Sequence, residues 1–245
     1  MGRLIDKRQY RILAERYFEV LLGDLPTLAW MIGQAPLIAG IVILRWRAWP
    51  ATESLFFVIA LSAVWFGCIN ACREIAREAP IYRRERRFGL SRTAYLAAKM
   101  KILGLIGLAE TALFYVLIHR AVDTDLILAP ALIALIGLNF AGMSLGLMLS
   151  RWCRTPARAV AAVPVAIIPQ IVFSKFVLPA HTLQGAAARI ETLMPVKWGF
   201  EALTACRPGE ARYGDYAASL LALAGLTALF ALLTLFHFYF AGDDE

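Results

Sequence analysis

The stretch that decides the fold is REIAREAPIYRRERRFGLSRTAYLAAK, residues 73–99. Its 27 residues hold eight Arg or Lys and three Glu, yet it lies between two segments that are apolar enough to cross a membrane. A dense positive segment between two such spans is typical of a loop that stays at the cytoplasmic membrane surface. The stretch therefore predicts an integral membrane protein in which residues 73–99 include the first cytoplasmic loop.

The composition agrees with a membrane protein. The chain has 245 residues, of which 60% are hydrophobic, and a mean hydropathy of +0.64; a soluble domain is about 45–50% apolar. The excess lies in long runs, which predict an all-α protein with six transmembrane helices. They cover residues 25–44, 54–72, 98–118, 126–150, 157–178 and 216–241. No cleavable signal peptide is expected, because the N-terminal segment is charged over more than about 20 residues.

The distribution of positive charge predicts the orientation. Seventeen of the 25 Arg and Lys residues lie before the first span and in the loops at 73–101 and 151–158. The positive-inside rule places these segments, and with them both termini, in the cytoplasm of a plasma (inner) membrane protein. Since topology explains the net charge of +7, no nucleic-acid partner is expected.

Residues 1–24 precede the first span and predict an amphipathic helix. Tyr10, Leu13, Ala14, Tyr17 and Leu21 share one face of a helical wheel, and charged residues share the opposite face. This pattern favours a helix lying at the inner membrane surface. An ordinary surface helix packed on the rest of the protein is the alternative.

The charged loop itself predicts a short helix. Pro80 suits a first helical turn, and Ile81, Glu85 and Phe88 then fall on one face, with arginines on the other. Gly89 can end the helix. Such a helix at the end of two spans could dock into a cleft on a soluble partner. A solvated loop that only sets the topology is the alternative.

The loop resembles the segment between the second and third spans of ABC-transporter permeases of the type-2 exporter class, closest to the G (White) subfamily. The matching positions are Arg73, Glu74, Ile75, Glu78, Tyr82, Arg84, Glu85, Arg86, Leu90, Ser91, Ala94, Tyr95 and Lys99. Residues 8–24 resemble the connecting helix of these permeases, and residues 169–183 and 195–203 resemble the segment that precedes their external re-entrant helices. Lys175 stands where the family usually has Gly.

The resemblance implies a domain organisation and a contact site. Residues 1–24 would form the connecting helix, and 25–245 the six-span transmembrane domain. The latter would include a coupling loop at 73–92 and an external re-entrant segment at 180–212. The coupling helix of this family receives the motion of the nucleotide-binding domain. The residues that the resemblance assigns to that contact are Glu78, Ile81, Tyr82, Glu85 and Arg86.

The chain lacks the motifs of the motor itself. No Gly is followed by Lys, so there is no loop of the kind that cradles nucleotide phosphates. We therefore expect no catalytic residue, no enzyme activity and no cofactor on this chain, with ATP and Mg bound by a separate cytoplasmic ABC ATPase subunit. Six spans are half of the family's membrane unit, which implies a second copy or a homologous permease as partner, surrounded by membrane lipids.

Several residues within the spans are candidates for function or packing. Glu110 lies inside the third span, where an ionisable group costs about 2.5–3.5 kcal/mol; it belongs either to the conduit or coupling machinery or to a structural hydrogen bond. Gln34, Asn70, Asn139 and Gln170 are predicted to form interhelical hydrogen bonds. Small residues at four-residue spacing in the fourth span predict a packing face: Gly142, Gly146 and Ser150. By family analogy, a substrate path would be lined by Phe66, Ile69, Asn70, Glu110, Ile168 and Phe173.

The sequence thus predicts the permease subunit of an ATP-driven exporter that works by alternating access. Its substrate would be apolar or amphipathic, such as a lipid, a glycolipid or a drug-like molecule. A non-transporting membrane anchor or receptor, which recruits a soluble partner through the charged loop, is the alternative. An intramembrane enzyme would need clustered nucleophiles or metal ligands. Cys68 and Cys72 are one helical turn apart but lack further ligands nearby, so no metal site is predicted.

Overall fold

Ten helices make up the regular structure of the part of the chain that the computed structural model describes, residues 6–174, 185–208 and 212–240. They are α1 (Lys7–Gly23), α2 (Leu25–Trp46), α3 (Glu53–Ala71), α4 (Glu74–Arg87), α5 (Arg92–Ala121), α6 (Leu128–Trp152), α7 (Pro156–Val172), α8 (Ala186–Thr192), α9 (Pro195–Thr204) and α10 (Tyr213–Phe240). Side-chain oxygens of Asp6, Thr52, Ser91 and Thr155 accept hydrogen bonds from the first turns of α1, α3, α5 and α7. Such caps satisfy backbone donors that the helix itself leaves unpaired.

Five segments within the described residues are long and apolar enough to cross a membrane, namely α2, α3 continued by α4, α5, α6 and α10. They match five of the six predicted spans. The predicted span at 157–178 corresponds to α7, whose 17 residues extend over about 25 Å, less than the ~30 Å of a bilayer core. The chain is an all-α integral membrane protein, and the count of six spans stays a prediction.

The centre of the bundle is the close packing of α3 against α6. A Cβ atom added at Gly142 would lie 2.3 Å from the carbonyl oxygen of Val64, and one at Gly146 would lie 2.4 Å from that of Cys68. From the opposite side, a Cβ at Gly67 would lie 2.1 Å from the carbonyl oxygen of Asn139. These helices approach each other so closely only because the three contact positions have no side chain.

The two ends of the bundle differ in structure. At one end, α1 and α4 pack on α5 around a second buried cluster that includes Leu13, Tyr17, Leu21 and Tyr82. The face of α1 that packs inward is thus the apolar face predicted from sequence; its position at a membrane surface stays a prediction. At the other end, the short helix α9 packs beside α6, with α8 against α9, and Ile127 before α6 donates a backbone hydrogen bond to Cys206 after α9.

Helices α8 and α9 fall within the predicted re-entrant segment 180–212. In α9, Gly199 lies so close to Leu138 of α6 that an added Cβ would come within 2.1 Å of its side chain. Residues 180–184 and 209–211 of this segment, and Lys175, lie outside the described residues. The re-entrant character of the segment stays a prediction.

Candidate functional site

Helix α4 begins earlier than the sequence predicts. The prediction that it starts at Pro80 is wrong: it starts at Glu74, and Pro80 lies inside it. Its first turn is satisfied by Ser150 at the end of α6, whose hydroxyl oxygen accepts hydrogen bonds from the amides of Ile75 (2.9 Å) and Ala76 (3.0 Å). A side chain from a distant part of the sequence therefore fixes where α4 begins.

The end of α4 follows the prediction. Gly89 has a φ of +89°, in the region that favours glycine. The amide of Gly89 donates a hydrogen bond to the carbonyl of Arg86 at 3.1 Å, and the amide of Leu90 donates one to the carbonyl of Glu85 at 3.3 Å. This pair of bonds is the Schellman arrangement that terminates helices, and it places the exposed Phe88 at the tip of the loop.

The inward side of α4 carries a buried ionic cluster. The Lys99 ammonium of α5 lies 3.3 Å from a Glu74 carboxylate oxygen and 2.7 Å from one of Glu78. Lys99 is only 2% exposed and Glu74 only 3%. Tyr95 of α5 also donates a hydrogen bond to Glu78 at 3.1 Å. Because buried charges are costly unless paired, the cluster ties α4 and α5 together in one arrangement.

Helix α1 joins the same cluster through Tyr17. Its hydroxyl donates a hydrogen bond to Glu74, and its ring lies 3.5 Å from the Lys99 ammonium. Burial and then the negative charge of Glu74 raise the pKa of Tyr17 well above its ordinary value. The phenol therefore stays a donor through the physiological pH range.

A second set of contacts fastens α1 to the far end of α4. Arg16 donates a hydrogen bond to Glu85 as an ion pair, and this hydrogen bond raises the pKa of Arg16. Gln9 donates to the carbonyl of Gly89 at 3.3 Å and accepts from the amide of Ser91 at 2.8 Å. Since α1 holds both ends of α4, the two helices are expected to move as one body.

The outward face of α4 is apolar at its centre and basic around it. Ile81 is 45% exposed and Phe88 is 88% exposed. Arg84 and Arg87 of the same helix are also exposed. Exposed large apolar side chains on a helix that also exposes guanidinium groups are the composition of a protein-docking surface.

The structure divides the five predicted contact residues between the two sides of α4. Ile81 lies on the outward face. Tyr82 is buried, with its ring 5.0 Å from those of Tyr95 and Phe238. Glu78 belongs to the inner cluster and Glu85 to the pair with Arg16, while Arg86 donates to the carbonyl of Leu90 at 2.9 Å. Sequence reasoning did not find the cluster formed by Tyr17, Glu74 and Lys99.

A chain of polar side chains crosses three helices within the bundle. Gln34 of α2 donates to Asn70 of α3 at 2.9 Å, and Asn70 donates to Glu110 of α5 at 2.7 Å. Glu110 is fully buried. Two further amides bond across helices. Asn139 of α6 donates to the carbonyl of Ala63 in α3, and Gln170 of α7 accepts from the amide of Val196 in α9. The prediction of interhelical hydrogen bonds is confirmed for these four amide side chains.

The residues predicted to line a substrate path are spread over several environments. Ile168 lies in a groove of about 320 Å³, and Phe173 in a separate cavity next to α9. Phe66 is fully buried, with its ring edge-to-face on Phe114 at 5.1 Å, so it lies behind the groove rather than in its wall. The groove lies between α2, α3 and α7 and is lined by Ile38, Leu61, Ser62, Trp65, Pro164, Ile167, Ile168 and Ile171.

The cysteines behave as apolar side chains. Cys68 and Cys72 are free thiols buried in the bundle, and Cys72 donates weakly to the carbonyl of Ile69. Within the described residues, no three His, Cys, Asp or Glu side chains come together as a potential metal site.

These features define a helical membrane protein with a charged helix held against one end of its spans. The chain belongs to the ABC-2 type transporter family, whose sequence model matches residues 8–206, and it is thus an ABC transporter permease component. It is also similar to an ABC transporter ATP-binding/permease protein of Mycobacterium tuberculosis, with 27% identity over 164 residues. That match covers 62% of this chain and 18% of the relative, so the chain spans less than a fifth of the relative's length. Membership of the G subfamily stays a prediction.

Proposed function

We propose that this chain is the permease subunit of an ATP-driven exporter, with ATP and Mg bound and hydrolysed on a separate cytoplasmic ABC ATPase subunit. Two permease chains, identical or homologous, would form the membrane unit and move an apolar or amphipathic substrate by alternating access. The end that carries α1 and α4 would face the cytoplasm of an inner (plasma) membrane, together with both termini. The outward direction of transport rests on the resemblance described above.

The observation that carries this proposal is the two-sided character of α4. Its outward face presents Ile81 and Phe88 to a partner, while its inward face is bound to α5 through Lys99. A helix that is bound so firmly on one side and apolar on the other suits the transmission of force. The relative's printed name, which combines ATP-binding and permease functions, supports an ATPase as the partner.

The composition of the groove supports an apolar substrate. Ser62 supplies its only polar side chain among the described lining residues, and its hydroxyl donates to the carbonyl of Val58 at 2.8 Å. The remaining wall is hydrocarbon and the Trp65 ring, which favour acyl chains or fused rings over sugars or peptides. A second permease copy against α7 would convert this lateral groove into an enclosed path.

Copurification tests the docking face of α4. Ile81→Ser with Phe88→Ser removes two exposed apolar side chains without touching the inner cluster, whereas changing Tyr82 would disturb buried packing. Trp49→Ser, an exposed change after the end of α2 and away from α4, serves as the control. We expect an ABC ATPase subunit to copurify with the wild type and the control but not with the double variant. Recovery of no ATPase with the wild type under several mild detergents would contradict the proposal.

A second measurement separates a transporter from a membrane anchor. In the assembled complex, Ile168→Trp should fill part of the groove and change the ATPase rate of the partner, because an exporter couples its path to its motor. An anchor has no path, so the same variant would leave that rate unchanged.

A further inference from the structure

Three arginines gather around the last turn of α10. The guanidinium of Arg92, at the start of α5, lies 4.7 Å from the ring centre of Tyr239, and that of Arg151, at the end of α6, lies 4.6 Å from the ring centre of Phe238. Arg154 follows Arg151 by three residues and is exposed in the turn before α7. The start of α5 and the end of α6 thus place two guanidinium groups against neighbouring rings at the end of α10, and Arg154 adds a third positive charge after the end of α6.

Exposed aromatic side chains surround this positive group. Tyr239 is 55% exposed and Phe240 is 73% exposed, and both belong to the same turn of α10. Trp152, at the end of α6, is half-exposed, and its ring lies 6.1 Å from that of His237. Amphipathic aromatic rings at the ends of membrane spans are typical of the headgroup region of a bilayer.

We propose that Arg92, Arg151 and Arg154 bind the phosphate of an anionic phospholipid, with its acyl chains along the exposed face of α10. A guanidinium has five N–H donors, so a contact to a protein group still leaves donors for phosphate oxygens. Basic pockets between spans on the cytoplasmic side are suited to anionic headgroups. Further along α10, away from the arginines, Leu232 and Phe236 are also exposed.

The surroundings of the arginines favour a lipid over a soluble phosphate. A soluble ligand would not need exposed rings or an apolar helix face beside its phosphate site, whereas a phospholipid contacts all three. The inference rests on the proposed function only in calling this end cytoplasmic. It names a ligand site that is separate from the α4 face and from the groove.

The test titrates phosphatidylglycerol or phosphatidylcholine into the detergent-solubilised full chain and measures bound lipid by native mass spectrometry. Each arginine near an anionic surface contributes about fivefold in affinity, so Arg92→Gln with Arg151→Gln should weaken phosphatidylglycerol binding about 25-fold. Phosphatidylcholine binding should fall much less, because the choline cation already offsets the charge of its phosphate. Arg84→Gln with Arg87→Gln removes the same charge from α4 and should change neither lipid. Arg92→Lys with Arg151→Lys keeps the charge and should keep most of the binding.

Three results would overturn the proposal. The first is equal loss of phosphatidylglycerol binding in the α4 control, which would indicate charge alone. The second is displacement of the lipid by millimolar inorganic phosphate, which would indicate a site for the soluble anion. The third concerns Asp243, Asp244 and Glu245, which lie outside the described residues. If the wild type does not bind phosphatidylglycerol and a variant with these three residues changed to amides does, the acidic tail rather than a lipid occupies the arginines.

Discussion

Replacing Lys99 by Met would measure how firmly α4 is tied to the spans. The ammonium lies 2.7 and 3.3 Å from two carboxylate oxygens and is almost fully buried. Its removal takes away the buried cation between Glu74 and Glu78, so that Glu74 keeps only the partly exposed Arg77 as a cationic partner, at 3.3 Å. Breaking a buried ion pair in this way costs about 3–5 kcal/mol. At about 2–4 °C per kcal/mol for a chain of this size, the unfolding midpoint of Lys99→Met should fall by about 6–20 °C.

The assay is thermal unfolding in detergent, followed by the loss of a monodisperse peak in size-exclusion chromatography. Lys101→Met is the matched control, because Lys101 is exposed and only lies 5.6 Å from the Tyr10 ring. Its loss should cost no more than about 1 kcal/mol. Adding Glu74→Gln and Glu78→Gln to Lys99→Met should recover most of the midpoint, since no unpaired buried carboxylate then remains and Arg77, which loses Glu74, is partly exposed. A Lys99→Met midpoint within about 2 °C of wild type would refute this account of the cluster.

Three further predictions address packing, the intramembrane carboxyl group and pH. Gly142→Ala places a methyl group 2.3 Å from a backbone oxygen of α3 and should lower the free energy of unfolding by about 1–3 kcal/mol, measured by thermal unfolding. Gly33→Ala is the control and should leave stability unchanged, because its added methyl group meets nothing within 4 Å. Glu110→Ala should reduce transport in an assembled complex more than it reduces assembly, and Glu110→Gln, which can still accept a hydrogen bond, should reduce it less; unchanged transport in the Ala variant would contradict this. The folded state keeps the Tyr17 phenol protonated beside Glu74, so the pKa of Tyr17 is higher in the folded than in the unfolded chain. The protonated phenol therefore contributes fully to stability below the unfolded pKa of about 10, and this contribution is lost as pH rises toward the raised folded pKa. Tyr17→Phe should therefore show a smaller fall in the unfolding midpoint between pH 9 and 11.

The sequence was a good guide to features that depend on neighbouring residues. Hydrophobic length located α2, α3, α6 and α10 within three residues, whereas α5 begins six residues before its predicted span; the helical wheel of α1 identified its buried face. Gly89 ended α4 as expected, because the left-handed conformation favours glycine regardless of the tertiary environment. The start of α4 could not be found in this way, because the cap comes from Ser150, more than 70 residues away.

The inward and outward sides of α4 were also beyond local reasoning. Both sides carry apolar and charged residues, so helical periodicity separates the two faces without telling which is buried. Tyr82 is buried because Phe238 of α10 packs on it, and Lys99 is buried because Glu74 and Glu78 neutralise it. Rules that place every Lys and Glu at the surface fail where a buried Lys and a buried Glu neutralise each other's charge.

The two polar groups on α5 suggest how a push on α4 would reach the interior. Lys99 and Glu110 are three helical turns apart, about 16 Å along α5. Their partners, Glu74 and Asn70, are only four residues apart at the junction of α4 and α3. The same junction therefore holds α5 at two depths. If α4 moves as a rigid body with α1, then α5 must either follow it or exchange hydrogen bonds at Glu110, where Gln34 of α2 is already connected through Asn70. A coupling mechanism of this kind would need no continuous charged path through the membrane, because the junction itself would transmit the displacement from one cluster to the next.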